Sequence, residues 1–283
     1  METQLQDVKV AVVGGGNMGK AIIHRLLHSG IFFKEQIKVS ARTQKTLNLI
    51  QQNFNLEVTN DNRSCIQGRD IIILTVKPQD FYTVAFELKG YITEHQTLLS
   101  VIPGVFINLI SKAMEVNKVV RVMPTISAAH GTSVSVWTCN PYLNENDKSV
   151  IKRILQLLGV ELFVEDENLV DYSATICGCG VGYFLYFLDL LITNGMKLGF
   201  SESEATYLAK GAIEGTVSLI RHGKHSMKTM LQEVATSGGL TEAAIKVFDE
   251  RQLPDLIRIA IDSAVTKASK FATDMEQNLR SST

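Results

Sequence analysis

Residues Gly14-Gly15-Gly16-Asn17-Met18-Gly19 have the G-x-G-x-x-G spacing of a dinucleotide-binding turn. Such a motif carries chemistry only where it closes a strand and opens a helix, and both neighbours fit. Residues 8–13 are a short, mostly apolar run, and behind the glycines Met18, Ala21, Ile22, Leu26 and Leu27 recur on one helical side. Gly14 then permits the tight turn, Gly16 lets a pyrophosphate approach the backbone, and Gly19 lets helix and sheet pack closely. The helix start at Asn17 and Met18 offers free amides and partial positive charge to the phosphates.

The end of the second strand reports which dinucleotide fits. An acidic residue there would bond the ribose 2′-hydroxyl. The sequence reads Val39-Ser40-Ala41-Arg42-Thr43, without a carboxylate. Arg42 can pair with a 2′-phosphate, and Ser40 and Thr43 can donate hydrogen bonds to it. This favours NADP(H), with NAD(H) as the second candidate; a solvated Arg42 in a plain loop is the competing view. The almost continuously apolar run 70–76 ends in Val76 and is followed by Lys77 and Pro78. Ligands of open α/β sheets sit at strand C-terminal ends, so Lys77 is placed beside cofactor or substrate, while Pro78 starts the next helix.

The elements that must hold these residues alternate. Strands are expected over 8–13, 37–40, 70–76, 97–102, 118–123 and 133–138, and helices over 43–52 and 144–158. This alternation predicts a parallel sheet with helices on both faces. From Leu169 onward the strand signature vanishes. Ser201 and Glu204 form a capping box, followed by an apolar stripe of Leu208, Ala209, Ala212, Ile213, Val217 and Ile220. Pro254 suits the first turn of a last long helix, with Asp255 at its positive end. The chain therefore divides near residue 166, into an α/β dinucleotide-binding domain (1–165) and an all-α domain (166–283). The broad apolar faces of the second half fit either a core or a contact with another copy.

Composition excludes several classes. The chain has 283 residues, 45% of them hydrophobic and 20% charged, which suits a packed core and not a disordered chain. Lys+Arg of 28 against Asp+Glu of 29 argues against a nucleic-acid partner. No uninterrupted apolar run approaches the ~20 residues that span a bilayer, and the polar N-terminus lacks a signal-peptide stretch, so a cytoplasmic protein without a membrane partner is expected. Cys65, Cys139, Cys177 and Cys179 are too few for a disulfide scaffold and read as reduced thiols. His222 and His225 lack acidic partners at metal-ligand spacing, and no metal site is expected.

Together these residues resemble the pyrroline-5-carboxylate reductase family, over nearly the whole chain. The likeness includes 14–22, Asn60, the Val-Lys-Pro at 76–78 and Arg121-Val122-Met123-Pro124. In the second half it includes Gly178-Cys179-Gly180 with Tyr183, the 194–199 segment, and 235–241. The resemblance implies a Rossmann-like N-terminal domain and an all-α dimerisation domain. It implies hydride transfer from NAD(P)H to the cyclic imine 1-pyrroline-5-carboxylate, giving proline. It also implies a homodimer through the C-terminal helices that assembles further into a ring, with an active site completed by two chains. Cofactor contacts then fall on Gly14, Gly16, Asn17, Met18, Gly19, Ser40, Arg42, Thr43, Asn60, Val76, Lys77 and Pro78.

By the same likeness the turn Thr236, Gly238, Gly239, Leu240, Thr241 binds the substrate carboxylate. Gly238 and Gly239 would expose backbone amides before a helix start, which makes an anion site. Thr241 is expected to cap that helix and to orient the imine nitrogen as the one catalytic side chain. No nucleophile, metal or strong general base is required, because the cofactor supplies the hydride. The chain departs from the family pattern at Thr125 and Ser127, at Val181, and at Ser237. Lacking proline at 127, 181 and 237, its loops are expected to be looser. Two alternatives stand beside this reading. One is a β-hydroxyacid-type dehydrogenase using Lys197 or Lys210, and the other is a non-catalytic NADP(H)-binding regulatory protein.

Overall fold

The computed structural model describes the backbone of residues 5–281 and the side chains of 5–270 and Thr273. Residues 1–4 of the polar N-terminus lie outside it. The strands are β1 (Val10–Val13), β2 (Ile37–Ser40), β3 (Glu57–Thr59), β4 (Ile71–Leu74), β5 (Thr97–Ser100), β6 (Val119–Met123), β7 (Ser133–Cys139) and β8 (Gly159–Phe163). They form one sheet in the order β3-β2-β1-β4-β5-β6-β7-β8. Between them run α1 (Asn17–His28), α2 (Gln44–Phe54), α3 (Asn62–Ile66), α4 (Phe81–Leu88), α5 (Ile107–Met114) and α6 (Glu145–Leu158).

The apolar runs are continuous because both faces of the sheet are covered. Val10, Val12, Ile71 and Ile73 face a core layer with Ile22 and Leu26 of α1 and Ile151 and Ile154 of α6. Ala11, Val13, Ile72 and Leu74 face the other layer, with Ile66, Phe81, Leu88 and Ile110. Each such side chain contributes roughly 1.5–3 kcal/mol on leaving water.

The expectation of a parallel sheet holds from β3 through β6, whereas β7 runs antiparallel to β6. The link 124–132 holds only a short 3-10 turn, Ile126–His130. A parallel return needs a crossover of about a dozen residues or more, so this chain must reverse. β8 then adds parallel to β7 through α6. Neither β3 nor β8 was expected from the sequence.

The described chain divides into two compact units, one running to Gly178 and resuming at Val265, the other Cys179–Ala264. The packing boundary thus falls later than the change of sequence pattern near 166. The reason is α7 (Asn168–Ser173), which is helical in pattern but anchored to the sheet. Arg121 of β6, 1% exposed, pairs through Nη1 with Glu167 Oε1 at 3.1 Å and through Nη2 with Asp171 Oδ1 at 2.8 Å. Its guanidinium lies 4.9 Å from the Phe106 ring centre.

The helical unit contains α8 (Cys179–Lys197), α9 (Glu202–His222), α10 (Met227–Val234), α11 (Leu240–Glu250) and the first part of α12 (Leu253–Ser281). Ser201 and Glu204 make the expected capping box at α9. The Ser201 hydroxyl holds the Glu204 carboxyl below its ordinary range. Pro254 and Asp255 stand in the first turn of α12, as expected. A Cβ on Gly195 would lie 3.1 Å from that of Ala205, so α8 and α9 approach closely there. Only Gly180 is buried in α8, and its aromatic residues are open, with Phe184 64% and Tyr186 68% exposed. Asn168–Lys197 is one helical stretch within which 18 consecutive residues reach a mean hydropathy of 1.7, long and apolar enough by length and composition to cross a membrane. Asp171 and Asp189 interrupt it, and the Ser, Thr, Tyr and Gly residues between them keep an unbroken apolar run from standing out in the sequence.

Candidate active site

The glycine turn is built as a cradle. Gly14 follows β1 with φ +114, a backbone conformation that side chains disfavour. Its amide donates to Ser40 O at 2.9 Å, and its carbonyl accepts from Thr75 Oγ1 at 2.6 Å. Gly19 lies against that same carbonyl: a Cβ there would stand 2.3 Å from Gly14 O. Gly16 is the N-cap of α1 with no side-chain cap, and a Cβ there would meet nothing within 4 Å. Asn17 and Met18 open the helix, where first-turn amides lack an acceptor within it. Uncapped amides beside open space fit a pyrophosphate.

The sheet gathers the other candidates at the same edge. Val13 pairs in register with Ser40 and with Leu74, and Ser40 with Thr59. The segments leaving those strands carry Gly14, Arg42, Asn60 and Lys77. Lys77 and Asn60 are exposed, Val76 and Pro78 half-buried, and Pro78 starts a short 3-10 turn, Pro78–Asp80, rather than an α-helix.

Ser40 needs correction. It is fully buried, and its hydroxyl donates to Asn62 Oδ1 at 2.6 Å, while Asn62 Nδ2 donates to Glu87. It faces inward because β2 is covered on both faces, so it does not offer its hydroxyl to a 2′-phosphate. Thr43 is the N-cap of α2, its hydroxyl accepting from Thr46 N at 3.3 Å. Arg42, with its side chain 82% exposed, pairs with Asp80 at 2.9 Å. Asp80 and Thr75 both touch candidate residues and were missed. The signal for Thr75 was a hydroxyl ending an otherwise apolar strand.

The link between β6 and β7 also corrects an expectation. Hydroxyls brace it at the two departures, Thr125 and Ser127. Thr125 Oγ1 lies 2.8 Å from Ser127 Oγ, Ser133 Oγ accepts from Thr125 N at 3.0 Å, and Ser127 Oγ donates to Thr132 O at 3.0 Å. Thr125 and Ser133 are buried, so this segment is pinned by a hydrogen-bond network rather than loosened.

In the helical unit residues 235–239 join α10 to α11. The cap of α11 is Gly239, not Thr241, which lies one residue inside the helix. Gly238 takes φ +76. Neither glycine amide is free, contrary to expectation: Gly239 N donates to Thr236 O at 2.9 Å, and Gly238 N to Glu242 Oε2 at 2.6 Å. The amides without an acceptor inside the helix belong to Leu240, Thr241 and Glu242. Thr236 is exposed, Thr241 half-buried, and Leu240 is 93% exposed. Lys197, the alternative general acid, is exposed and donates to Asn194 Oδ1 at 3.4 Å; Lys210 is exposed too.

Comparison with known proteins matches residues 167–271 to the family described as pyrroline-5-carboxylate reductase dimerisation. Residues 9–104 match one described as NADP oxidoreductase, coenzyme F420-dependent. Pyrroline-5-carboxylate reductase of Aquifex aeolicus is 29% identical over 272 residues, 96% of this chain and 100% of that protein. The solved pyrroline-5-carboxylate reductase of Coxiella burnetii superposes with a TM-score of 0.86 at 26% identity, covering 94% of this chain and 98% of its own. The Plasmodium falciparum pyrroline carboxylate reductase, solved with NADP bound, gives 0.85 at 24% identity, covering 94% and 99%.

Proposed function

Because this chain belongs to the pyrroline-5-carboxylate reductase family, we propose that it reduces 1-pyrroline-5-carboxylate to proline, with NADPH preferred over NADH as donor. The observation that carries the substrate half is that the glycine turn before α11 already accepts a carboxylate, that of Glu242 on Gly238 N. A substrate carboxylate finds the same chemistry there, with the amides of Leu240, Thr241 and Glu242 beside it. Thr236 adds a hydroxyl from the other end of the turn.

NADPH, when bound, supplies the hydride that the imine carbon accepts. Gly16, Asn17 and Met18 would hold its pyrophosphate, and Arg42 with Thr43 its 2′-phosphate. Asn60, Val76, Lys77 and Pro78 would line the rest of the cofactor's path along the strand ends. Thr241 orients the imine nitrogen through its hydroxyl, and the nitrogen is protonated from solvent. The chain's remaining task is to hold the ring at near-attack distance. We further propose that copies pair through the helical unit and that these dimers close into a larger ring. A second copy covers the open apolar residues of α8 and α9.

The test is purified protein with NADPH and racemic pyrroline-5-carboxylate. Loss of absorbance at the nicotinamide band is expected. NADPH binding without turnover would overturn the substrate reading, as would turnover confined to hydroxy acids with oxidised cofactor. Thr241→Ala should keep NADPH binding and lose most turnover; unchanged turnover would remove Thr241 from the site. NADH binding as tightly as NADPH would remove the role of Arg42.

A further inference from the structure

Thr75 stands where two stretches of the cofactor edge meet. It directly follows β4 and precedes Val76 and Lys77. Its amide donates to Val13 O at 2.9 Å, and its hydroxyl to Gly14 O at 2.6 Å, with Val13 O farther off at 3.3 Å. The hydroxyl also borders Gly19, where a Cβ would lie 2.8 Å away. The Gly14 carbonyl is thus held between the Thr75 hydroxyl and the backbone of Gly19. That matters because a glycine turn binds phosphate only with its amides facing the ligand. A carbonyl turned the same way would set a partial negative charge against the pyrophosphate. Gly14, at φ +114, has no side chain to fix its peptide plane, so the orientation of that carbonyl rests on its partners.

We infer that Thr75 is a positioning residue for the dinucleotide: its hydroxyl fixes the Gly14 carbonyl away from the pyrophosphate and ties the glycine turn to the 76–78 segment. This rests on the cofactor half of the proposed function and is independent of the substrate. A neutral hydrogen bond of this kind corresponds to roughly a three- to tenfold effect on an equilibrium.

The experiment is a fluorescence titration of NADPH into wild type, Thr75→Val, Thr75→Ala and Thr75→Ser, without imine. Thr75→Val keeps the shape and loses the donor, Thr75→Ala removes any crowding by the added methyl, and Thr75→Ser restores the hydroxyl. Dissociation constants should rise roughly three- to tenfold for Val and Ala and return to the wild-type value for Ser. Adenosine 2′-phosphate, which lacks the pyrophosphate, should bind all four proteins alike. Wild-type affinity in both Val and Ala would overturn the inference. So would failure of Ser to restore binding, or an equal loss for adenosine 2′-phosphate, which marks general damage to the fold. Wild type that binds NADPH but does not reduce the imine would sink the substrate reading and leave the inference about Thr75 standing. Wild type that binds no dinucleotide would sink both.

Discussion

β1, β4 and β5 bury every residue they contain, whereas the nineteen-residue helix α8 buries only Gly180. Both segments are apolar, so composition does not separate them. The difference is where the covering surface comes from. The α/β unit brings α1, α6 and α3–α5 of its own chain to the two faces of its sheet and closes its core alone. The helical unit leaves Phe184, Leu185, Tyr186 and Leu208 open. Surface of that kind is stable in water only when something else covers it. Residues 167–271 match a family described as pyrroline-5-carboxylate reductase dimerisation, and an open apolar face of this kind fits the interface proposed above.

The largest expected effect probes how fully the α/β unit is closed. Arg121 is buried and neutralised by Glu167 and Asp171, with Gly104 N also donating to Asp171 Oδ1 at 3.2 Å. Arg121→Met leaves two carboxylates facing an apolar side chain and should cost about 3–5 kcal/mol in urea unfolding. A cost below about 1 kcal/mol would show that water reaches this site, and that the unit is less closed than its burial suggests.

Gly16 is the counter-case inside the same unit, a position left open rather than filled. A Cβ on Gly16 would meet nothing within 4 Å, so Gly16→Val should change the melting temperature little. NADPH binding should weaken by about a hundredfold or more, because the new side chain occupies the pyrophosphate's approach. Binding at wild-type strength would show that the dinucleotide does not pass over Gly16.

On the helical side, Phe184→Asp places a charge on the open face of α8. Self-association should weaken by roughly ten- to a hundredfold by sedimentation equilibrium, through the cost of an unpaired charge in an apolar contact. NADPH binding should persist, since the α/β core does not depend on that face. An unchanged association constant would place the interface elsewhere on the helical unit.

The same contrast explains what was legible in the sequence. The 70–76 run announces a central strand because burial on both faces makes its centre, Ile71–Leu74, apolar throughout. The glycine spacing announces the cofactor turn because each glycine answers a separate steric demand. Ser40 is misread because the end of a doubly covered strand looks, in sequence, like the start of a loop; only the pairing with Asn62 shows which way it turns. β8 is missed because α6 passes into it without an intervening loop, at Gly159. Thr241 looks like a helix cap because threonine commonly is one, yet Gly239 enters the helix first and Glu242 folds back on Gly238. The open face of α8 is visible as apolar residues, but a sequence does not say whether its own chain or another covers them.

The smallest effect tests closure by titration. Cys65 of α3 is buried beneath the sheet, its thiol directed at Lys38 O at 3.6 Å, and burial pushes it up to about 11 from the ordinary 9.0. Below pH 9 the thiol is protonated in folded and unfolded chains alike and contributes no pH dependence. Between 9 and 11 the unfolded chain releases its proton while the folded chain keeps it, so stability falls as pH rises. The loss is about 1.4 kcal/mol by pH 10. Other groups titrate in this range, so the measurement is the difference in slope between wild type and Cys65→Ala in urea unfolding from pH 8 to 10.5. The alanine variant starts less stable, with a cavity in the core, but its curve should be the flatter of the two above pH 9. Parallel curves would mean that the Cys65 thiolate is tolerated in the folded chain, and that water enters the layer beneath β1 and β2.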